Sequence, residues 1–565
     1  MRLRPEMRKN SSIYSNSEIE AETVKNHKYR EHTIQKMSKT NYDILIVGGG
    51  ITGAGIARDA ALRGLTVALV EKDDFGHGTS SGSSKLVHAG LRYIGQKEFR
   101  LVREASIERK KILEMAPHIT RPLKFLVPLH SDTILTKKKM RLAVWLYDLF
   151  ANFRNYSFHK ILGPEKAKML LPNSIRETNF QGAAIYGDGQ MDDARLTLEV
   201  MLSAEKAGAN ILNYCSAEHF HLQSPEGVDT VTMRDQTNKH VFTVQTKTLV
   251  LACGHWRDMM VQQINPSSHS RVRPTKGVHL ITKRFYNLDH AVVIPVEDGR
   301  IIFIVPFGEN LLVGTTDTDY GEDFNYIPVT KEDANYLIDA VNFMFPGSLT
   351  EQDIISAYSG LRPLILSNSA KSESDVSRNH EIRMVRPNTF AIAGGKFTTY
   401  RTMAKEMVDK ITKILGDKTK STTDKVPLNG WVSTKRQGWD AWSRIACENM
   451  MIRYNLSEQV AQHLLRYGDN YIKMLDEAKE DPQLMKVITN HRPYIFGEIN
   501  YFIKYEKVIT LRDVLFRRTQ IQLSFEQGLD CIEEIAHHMG DLLGWSSEEI
   551  EKEISDYKKA LVWKN

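Results

Sequence analysis

Apolar and polar positions alternate in short blocks through the first three quarters of the chain. Residues 43–47 form an apolar run that enters a glycine-rich turn, and a second apolar run, 67–70, follows a helical stretch. Amphipathic periodicity predicts further helices over 98–115, 194–207 and 331–345. Apolar runs predict strands over 248–252, 300–305, 311–314 and 389–393. This alternation predicts an α/β architecture, with a Rossmann-like nucleotide-binding domain interleaved with a substrate domain.

The pattern changes after residue 424. Strand signals fade there and helical periodicity dominates from Trp439 onward, which predicts a separate all-α, helical C-terminal domain over 425–565. Residues 1–40 carry nine Lys or Arg and five Glu without a periodic apolar face, and we interpret them as a disordered leader. A start misassigned upstream of Met37 and a mitochondrial transit peptide are the alternatives, and the acidic residues disfavour the second. Residues 41–424, between the leader and the helical domain, hold the two interleaved domains.

The turn after the first predicted strand has the pattern of a dinucleotide-binding βαβ unit. Gly48 permits the tight turn, Gly50 lets the backbone approach a pyrophosphate, and Gly53 allows close packing of helix on strand. The free N–H groups at the helix N-terminus face the phosphates. Glu71 ends the second strand, where its carboxylate can accept hydrogen bonds from a ribose. The cofactor-binding residues predicted in this unit are Gly48, Gly49, Gly50, Thr52, Gly53 and Glu71.

Two further segments favour FAD over NAD as the dinucleotide. One is the Gly/Ser/Thr-rich loop 76–85 after Glu71, near which we expect a helix to begin. The other is a strand that ends in a second glycine turn, 394–399, whose backbone N–H groups could reach the flavin. An ordinary strand-to-helix turn is the alternative for 394–399. The cofactor-binding residues predicted here are Thr79, Ser80, Ser81, Ser84, Lys85, Gly394, Gly395 and Thr398.

Several polar residues could carry chemistry in this part of the chain. His88 and Arg92 are four apart and would share one face of a helix, although a core histidine and a surface arginine are the simpler interpretation. Arg362 lies between Gly360 and Pro363, which predicts a stiff turn suited to gripping an anion. The Asp317 and Asp319 pair lacks the glycine spacing of a calcium loop, so we expect a turn and no metal.

Composition excludes several classes of protein. Among 565 residues, hydrophobic residues make up 41% and charged residues 25%, as in globular proteins. A net charge of +6, without a basic–aromatic array of the nucleic-acid-binding kind, argues against nucleic acid as a partner. Four scattered cysteines indicate a reducing compartment, and no apolar run is long enough to span a membrane. Residues 137–160 combine lysines with aromatic residues and could lie in a membrane interface or form an ordinary surface helix.

Taken together, the motifs resemble those of the FAD-dependent glycerol-3-phosphate dehydrogenases. The matching segments are Gly48-x-Gly50-x-x-Gly53, Gly78-Thr79-Ser80-Ser81-x-x-Ser84-Lys85-Leu86-x-His88-x-Gly90-Leu91-Arg92-Tyr93, Met191-Asp192-Asp193-Ala194-Arg195-Leu196, Thr275-Lys276-Gly277-x-His279, Val313-Gly314-Thr315-Thr316-Asp317-Thr318, Gly360-Leu361-Arg362-Pro363-Leu364, Gly394-Gly395-Lys396-x-Thr398-Thr399-Tyr400-Arg401 and Asp513-Val514-Leu515-Phe516-Arg517-Arg518-Thr519. One departure is Cys253-Gly254-His255-Trp256, where relatives commonly have Thr-Gly-Pro/Ala-Trp, and we expect only local consequences near the flavin.

The resemblance implies a glutathione-reductase-type FAD-binding domain, a mixed-sheet substrate domain and a helical cap. It implies oxidation of sn-glycerol 3-phosphate to dihydroxyacetone phosphate, with FAD reduced and electrons passed to a quinone. It also implies a cytoplasmic enzyme with peripheral contact on the inner face of the membrane. As a further partner, we expect a second copy of the chain, in a homodimer. Candidate substrate-binding cations are Arg92, Arg362, Arg378 and Lys396, and the catalytic candidates are His88, His279, Arg362 and Lys396. His88 and His279 remain alternatives as the proton acceptor.

Two other functions stay open at this point. A glycerol-phosphate oxidase would pass the electrons to oxygen and form hydrogen peroxide. A non-catalytic flavin-binding sensor or scaffold would bind the cofactor without turnover, and the retained histidine and cationic candidates argue against it.

Overall fold

The computed structural model describes residues 25–95, 98–133, 136–150, 157–221, 230–287, 289–296, 298–366, 380–432, 438–489 and 492–563. The strands are β1 (Asn41–Val47), β2 (Val67–Val70), β3 (Leu86–Val87), β4 (Thr120–His130), β5 (Lys160–Leu162), β6 (Phe180–Met191), β7 (Asn210–Leu212), β8 (Cys215–His221), β9 (Thr230–Asp235), β10 (Val241–Leu251), β11 (Val272–Thr282), β12 (Ala291–Pro295), β13 (Ile301–Phe307), β14 (Asn310–Gly314), β15 (Thr318–Asp319), β16 (Ile354–Ile365), β17 (His380–Arg386), β18 (Thr389–Gly394), β19 (Val487–Thr489) and β20 (Arg492–Ile495).

The α-helices are α1 (Lys25–Lys39), α2 (Ile51–Leu62), α3 (Arg92–Gly95), α4 (Phe99–Met115), α5 (Lys137–Phe150), α6 (Pro164–Lys168), α7 (Asp193–Lys206), α8 (Arg257–Ile264), α9 (Lys331–Met344), α10 (Tyr400–Leu415), α11 (Gly438–Tyr454), α12 (Glu458–Leu464), α13 (Asn470–Ala478), α14 (Phe496–Tyr505), α15 (Ile532–Leu543) and α16 (Ser547–Ala560). The helices predicted over 98–115, 194–207 and 331–345 correspond to α4, α7 and α9.

An eight-stranded sheet forms the nucleotide-binding half of the molecule. Its main path runs β17-β18-β10-β1-β2-β7, and β1 lies parallel to both β2 and β10. The strands β1 and β2 are apolar along most of their length because α2 covers one face of the sheet and other elements cover the second. The glycine turn after β1 therefore lies at the carboxyl edge of a parallel sheet, where nucleotides bind in such folds.

A ten-stranded mixed sheet forms the second half. Its main path is β15-β11-β14-β13-β12-β4-β6-β3, with β16 paired to β11 and β5 paired to β6. Strands of the two sheets alternate along the chain, so the predicted interleaving of two domains is confirmed. The long antiparallel pair β11 and β16 runs from Val272 opposite Ile365 to Thr282 opposite Ile354, and this pair carries side chains into the site described below.

The C-terminal part of the chain packs around a core of its own. This core draws on residues from Ala446 to Leu561 and contains the helices α11 to α16 with a small hairpin of β19 and β20. The helical C-terminal domain is thus confirmed. None of the described helices has an apolar stretch long enough to cross a bilayer.

The prediction of a disordered leader is wrong for residues 25–39, which form α1. Arg30 pairs with the buried Asp235 at 2.8 Å, and Ile34 and Met37 are buried in the core beneath the first sheet. The helix is polar overall and has no continuous apolar stripe in its sequence. It is anchored by specific contacts instead, which include the hydrogen bonds that Arg30 donates to the carbonyls of Asn213 and Tyr214. Residues 1–24 lie outside the described residues.

Candidate active site

A cavity of about 490 Å³ lies between the two sheets. Its walls come from the glycine turn after β1, the loop between β2 and β3, the ends of β11 and β16, and the turn after β18. Fourteen of the predicted site residues line it: Gly48, Gly50, Thr52, Glu71, Thr79, Ser80, Ser84, His88, His279, Arg362, Gly394, Gly395, Lys396 and Thr398. The fold therefore gathers residues separated by more than 300 positions into one chamber.

The glycine turn after β1 requires its glycines for packing. Gly48 has a φ of +114°, and a Cβ there would lie 2.5 Å from the carbonyl oxygen of Ala252. A Cβ on Gly53 would lie 1.9 Å from the carbonyl oxygen of Gly48. Gly50 caps α2, and a Cβ at that position would meet the Ser80 hydroxyl at 3.0 Å. This geometry leaves the helix N-terminus open toward the cavity, as a pyrophosphate site requires.

Glu71 closes the turn from the end of β2. Its carboxylate accepts a hydrogen bond from the Gly49 amide at 2.6 Å and another from the Asp73 amide at 3.0 Å. Burial raises the pKa of Glu71, and these two backbone N–H groups act in the opposite direction. Gly49 and Gly53 lie behind the cavity wall, where they support the turn.

The loop between β2 and β3 adopts successive turns, so the helix expected near residues 76–85 is absent from this described segment. The Ser80 hydroxyl accepts a hydrogen bond from the Ile51 amide at 2.9 Å, and Thr79 donates to the carbonyl of Leu361. Backbones cross closely here, because a Cβ on Gly360 would lie 2.5 Å from the carbonyl oxygen of Gly82. The loop therefore lies between the glycine turn and β16.

Lys85 and Ser81 do not line the cavity. The Lys85 ammonium lies 2.6 Å from the carboxylate of Asp193, and both residues are buried. The Lys85 backbone has a φ of +55°, in the left-handed region. The Ser81 hydroxyl contacts the carbonyls of His77 and Gly78 within the loop. Direct cofactor contact by these two side chains is thus not supported by their placement, and Lys85 instead fixes the end of the loop.

The second glycine turn also faces the cavity. Gly394 and Gly395 have φ values of +75° and +79°, and a Cβ on Gly395 would lie 2.5 Å from the sulfur of Met403. The Lys396 ammonium lies 3.6 Å from the centre of the Tyr93 ring, within cation–π distance. The Thr398 hydroxyl donates to the carbonyl of His88 at 3.2 Å, which ties this turn to the segment that carries the candidate histidine.

His88 and Arg92 do not share a helical face. His88 lies in the irregular segment after β3, whereas Arg92 is the first residue of the short helix α3. The positive φ of Gly90, +79°, bends the chain between them. The side chain of Arg92 lies outside the described part of the structure, as does the whole of Arg378. The proposed roles of these two arginines therefore remain predictions.

The paired strands β11 and β16 place His279 beneath the loop between β2 and β3. The imidazole Nε2 of His279 lies 2.8 Å from the Ser84 hydroxyl, and its ring stacks on Tyr358 at a centroid distance of 4.8 Å. His279 is 1% exposed, and Gly314 leaves the space that the ring needs. Burial, and then the positive charges of Arg362 and Lys85, hold the pKa of His279 well below its usual range. The ring is therefore neutral at physiological pH.

Arg362 also differs from its predicted setting, because it lies within the strand β16. Its guanidinium donates to the carboxylate of Asp317 at 2.9 Å, to the Thr315 hydroxyl at 2.9 Å and to the Thr316 carbonyl at 3.2 Å. A Cβ on Gly277 would lie 2.6 Å from its Nη2. The turn that contains Asp317 shapes the site, as expected, by holding this cation at the cavity wall.

The cavity lining also includes Tyr93, His255 and Trp256, which were not among the predicted site residues. Tyr93 lies under the Lys396 ammonium, and Trp256 stacks against His255 at 3.7 Å while Lys72 lies 4.0 Å from its ring. The signal for Tyr93 was its position beside Arg92 in the family motif. The signal for His255 and Trp256 was the departure at 253–256, and burial lowers the pKa of His255 to about 3.

Comparison with known proteins agrees with this geometry. The sequence profile of FAD-dependent oxidoreductases matches residues 43–410, and that of the C-terminal domain of alpha-glycerophosphate oxidase matches 421–550. The chain belongs to the FAD-dependent glycerol-3-phosphate dehydrogenase family. An aerobic glycerol-3-phosphate dehydrogenase of Staphylococcus aureus is 35% identical over 543 residues, covering 94% of this chain and 96% of the relative.

Solved structures support the same assignment. A glycerol-3-phosphate dehydrogenase of Bacillus halodurans, complexed with FAD, has a TM-score of 0.78 and 32% identity over 94% of this chain and 97% of its own. An L-alpha-glycerophosphate oxidase of Mycoplasma pneumoniae with FAD bound has a TM-score of 0.54 and 20% identity over 70% of this chain and all of its own, which reflects the shared fold.

FAD is accordingly the cofactor of this family member, and the residues present fit it. The open N-terminus of α2 at Gly50 suits a pyrophosphate, and Glu71 lies where an adenosine ribose is bound in such units. The backbone at Gly394 and Gly395 forms part of the opposite wall of the cavity. Glycine is needed at these points because a side chain would fill the space beside the cavity.

Proposed function

We propose that this chain oxidises sn-glycerol 3-phosphate to dihydroxyacetone phosphate and passes the electrons to a membrane quinone. The observation that supports this proposal is the grouping of Arg362, Lys396, His88 and His279 around one cavity that also carries the FAD-binding turns. A phosphate monoester with about two negative charges is best bound by fixed cations of this kind. Arg92 and Arg378 complete the proposed set of substrate-binding cations.

Arg362 is the proposed principal phosphate ligand. Its guanidinium is oriented by Asp317, Thr315 and Thr316, so little side-chain entropy remains to be lost when an anion binds. Lys396 lies on the neighbouring turn, where its ammonium could stabilise negative charge that develops on the substrate oxygen at C2.

His88 is our proposed acceptor for the C2 hydroxyl proton. The alternative, His279, is neutral but weakly basic because burial and nearby cations lower its pKa, and its Nε2 already contacts Ser84. His88 is half-buried, lines the cavity, and has its backbone held by Thr398. When bound, FAD supplies the hydride acceptor at N5 of the flavin. The protein groups bind the phosphate, orient C2 and receive the proton.

The proposed electron acceptor requires access to a membrane. Helix α5 exposes Leu142 at 60% and Trp145 at 48% on its outer surface, close to the exposed Lys138, Lys139 and Arg141. Apolar side chains flanked by basic ones suit an interface with anionic headgroups. We therefore propose peripheral binding to the inner face of the membrane through α5, by a cytoplasmic enzyme that forms a homodimer.

Membrane binding can be tested with vesicles that contain anionic phospholipid. Wild type should sediment with these vesicles, whereas Leu142→Ser/Trp145→Ser should remain in the supernatant. Equal sedimentation of both proteins would refute the role of α5. Light scattering of the purified protein tests the dimer separately.

Anaerobic mixing of purified holoprotein with glycerol 3-phosphate tests the reaction itself. The visible absorbance of the oxidised flavin should fall and then recover when a soluble quinone is added. Persistence of the oxidised spectrum would favour the non-catalytic flavin protein. Rapid stoichiometric peroxide formation in air without a quinone would favour the oxidase.

A further inference from the structure

The segment Asp513–Arg518 of the helical domain faces the FAD-binding domain. It forms a π-helical turn, and Arg517 and Arg518 are 5% and 1% exposed. Both guanidinium groups contact Asp74, which lies in the loop that follows Glu71. A motif far from the cofactor turns in sequence therefore reaches the loop that lines the cavity.

Asp74 is held by several donors at once. Arg518 binds it in a two-pronged arrangement in which Nη2 lies 2.9 Å from Oδ1 and Nη1 approaches Oδ2. Arg517 donates through Nε, and the Asn213 side chain donates at 3.2 Å. Asp74 has no exposed surface, and the two guanidinium cations hold its pKa far below the usual range despite burial. The carboxylate is therefore ionised and fully paired at physiological pH.

Asp74 is adjacent to residues that contact the first glycine turn. A Cβ on Gly49 would lie 2.8 Å from the ring of Phe75, so the two residues are in direct contact. The Gly76 amide donates to the carbonyl of Gly49 at 3.0 Å. The anchored carboxylate is thus one or two residues from the backbone that forms the pyrophosphate turn.

The other end of the same loop has an indirect connection to the helical domain. Asp193 binds Lys85 at 2.6 Å and the Ser83 hydroxyl at 2.7 Å. The preceding residue, Asp192, caps α7 and also accepts hydrogen bonds from Arg466 and Gln520 of the helical domain. The C-terminal domain therefore holds the Asp74 end of the segment 74–85 directly. It contacts the other end only through Asp192, the neighbour of the residue that binds Lys85.

We propose that Arg517 and Arg518 are positioning residues for FAD. By fixing Asp74, they hold the loop 74–85 against the glycine turn, so the helical domain completes the cofactor site without touching the cofactor. This inference concerns FAD affinity and does not depend on the identity of the substrate. A merely structural role for the same ion cluster would lower stability but leave the affinity of the folded protein for FAD unchanged.

The first test measures FAD affinity in Asp74→Asn and Arg518→Lys. The control is Glu498→Gln, since Glu498 is also a fully buried carboxylate, but it bonds to His463 and Tyr467 within the helical domain. Each apoprotein is titrated with FAD at a temperature below the melting temperature of that variant. The change in flavin fluorescence during the titration gives the Kd. We expect Kd to rise at least about tenfold in the Asp74 and Arg518 variants and to change less than about twofold in the control. Equal Kd values for all three variants would overturn the proposal.

The second test needs no substitution, so it stands even where a variant fails to fold. If the arginine cluster favours FAD binding, FAD binding must favour the cluster by the same free energy. Hydrogen exchange of wild type should therefore slow at residues 513–519 when FAD is added, with little change in α13, Asn470–Ala478. Identical exchange at 513–519 with and without FAD would contradict the coupling.

Discussion

Replacing Arg362 with alanine is the most direct test of the proposed phosphate site. The guanidinium makes three hydrogen bonds that orient it at the cavity wall, and its side chain is 25% exposed. Removing it deletes the proposed phosphate contact and also leaves the carboxylate of Asp317, 22% exposed, without this cation. Without this guanidinium beside it, the Asp317 carboxylate would also repel the substrate's phosphate.

The expected magnitude follows from the partly buried setting. Charge-assisted hydrogen bonds contribute about 1.5–3 kcal/mol, and loss of one partner from a desolvated charged pair costs about 2–5 kcal/mol. A loss of about 2–5 kcal/mol in transition-state stabilisation corresponds to a fall in kcat/KM of about 30-fold to about 5,000-fold. Arg362→Lys should recover only part of this loss, because an ammonium lacks the fork that Asp317 and Thr315 orient.

Steady-state kinetics with glycerol 3-phosphate and a soluble quinone measures this effect. Arg273→Ala is a matched control, since Arg273 lies on the adjacent strand β11 and pairs with the exposed Asp319. The control should retain kcat/KM within about twofold, as expected for an exposed ion pair. FAD content should be unchanged in Arg362→Ala. An unaltered kcat/KM in a fully FAD-loaded Arg362→Ala protein would remove Arg362 from the substrate site.

Three further outcomes can be measured on purified protein. Gly50→Val should abolish FAD retention, since even a Cβ at this position meets Ser80 at 3.0 Å, and a yellow, fully loaded variant would refute that placement. When the pH falls from about 7 to about 5, the free energy of unfolding of His255→Phe should decrease by about 2 kcal/mol less than that of wild type. The reason is that burial lowers the pKa of His255 to about 3, so protonation in this pH range favours the unfolded chain. Urea melts at both pH values check this sign. Arg30→Ala should lower stability by about 3–5 kcal/mol by leaving the buried Asp235 carboxylate without its ion-pair partner, and a melting temperature equal to that of wild type would contradict it.

The parts of the fold that depend on local patterns could be predicted from the sequence. The β1–α2–β2 unit combines apolar runs with glycines at fixed spacing, and each of these signals acts within about 30 residues. The predicted helical stretches 98–115 and 331–345 likewise match α4 and α9 within a residue or two at each end. Their amphipathic periodicity reflects burial of one face, which any suitable core imposes.

The setting of Arg362 could not be obtained in this way. Glycine and proline around it indicate a turn locally, yet they lie in the long strand β16. Among the described strands, β16 is paired along the sheet with β11 alone. Pro363 lies opposite Pro274, and Gly360 lies opposite Gly277. A proline is tolerated where the sheet does not require its N–H group, and that information lies in the partner strand.

The same limitation explains the error at the N-terminus. Helix α1 is polar by composition, and its fixed position comes from a buried ion pair between residues 205 positions apart. A pattern of charges near one end of a chain gives no indication of a partner at that separation. Tertiary contact, rather than helix propensity, decides whether such a segment is ordered.

The two sheets contribute different parts of the site, and this difference predicts the effects of substitutions in each sheet. Glycines that approach a cofactor come from turns after β1 and β18 of the first sheet, whereas His279 and Arg362 come from β11 and β16 of the second. The loop 74–85 contacts both, through the Ser80 hydroxyl at the glycine turn and Ser84 at His279. Substitutions on β16 should therefore alter substrate kinetics with FAD retained, and those in the glycine turn should release FAD. Changes within 74–85 should affect both, because a shift of this loop moves the cofactor turn and the His279 contact together.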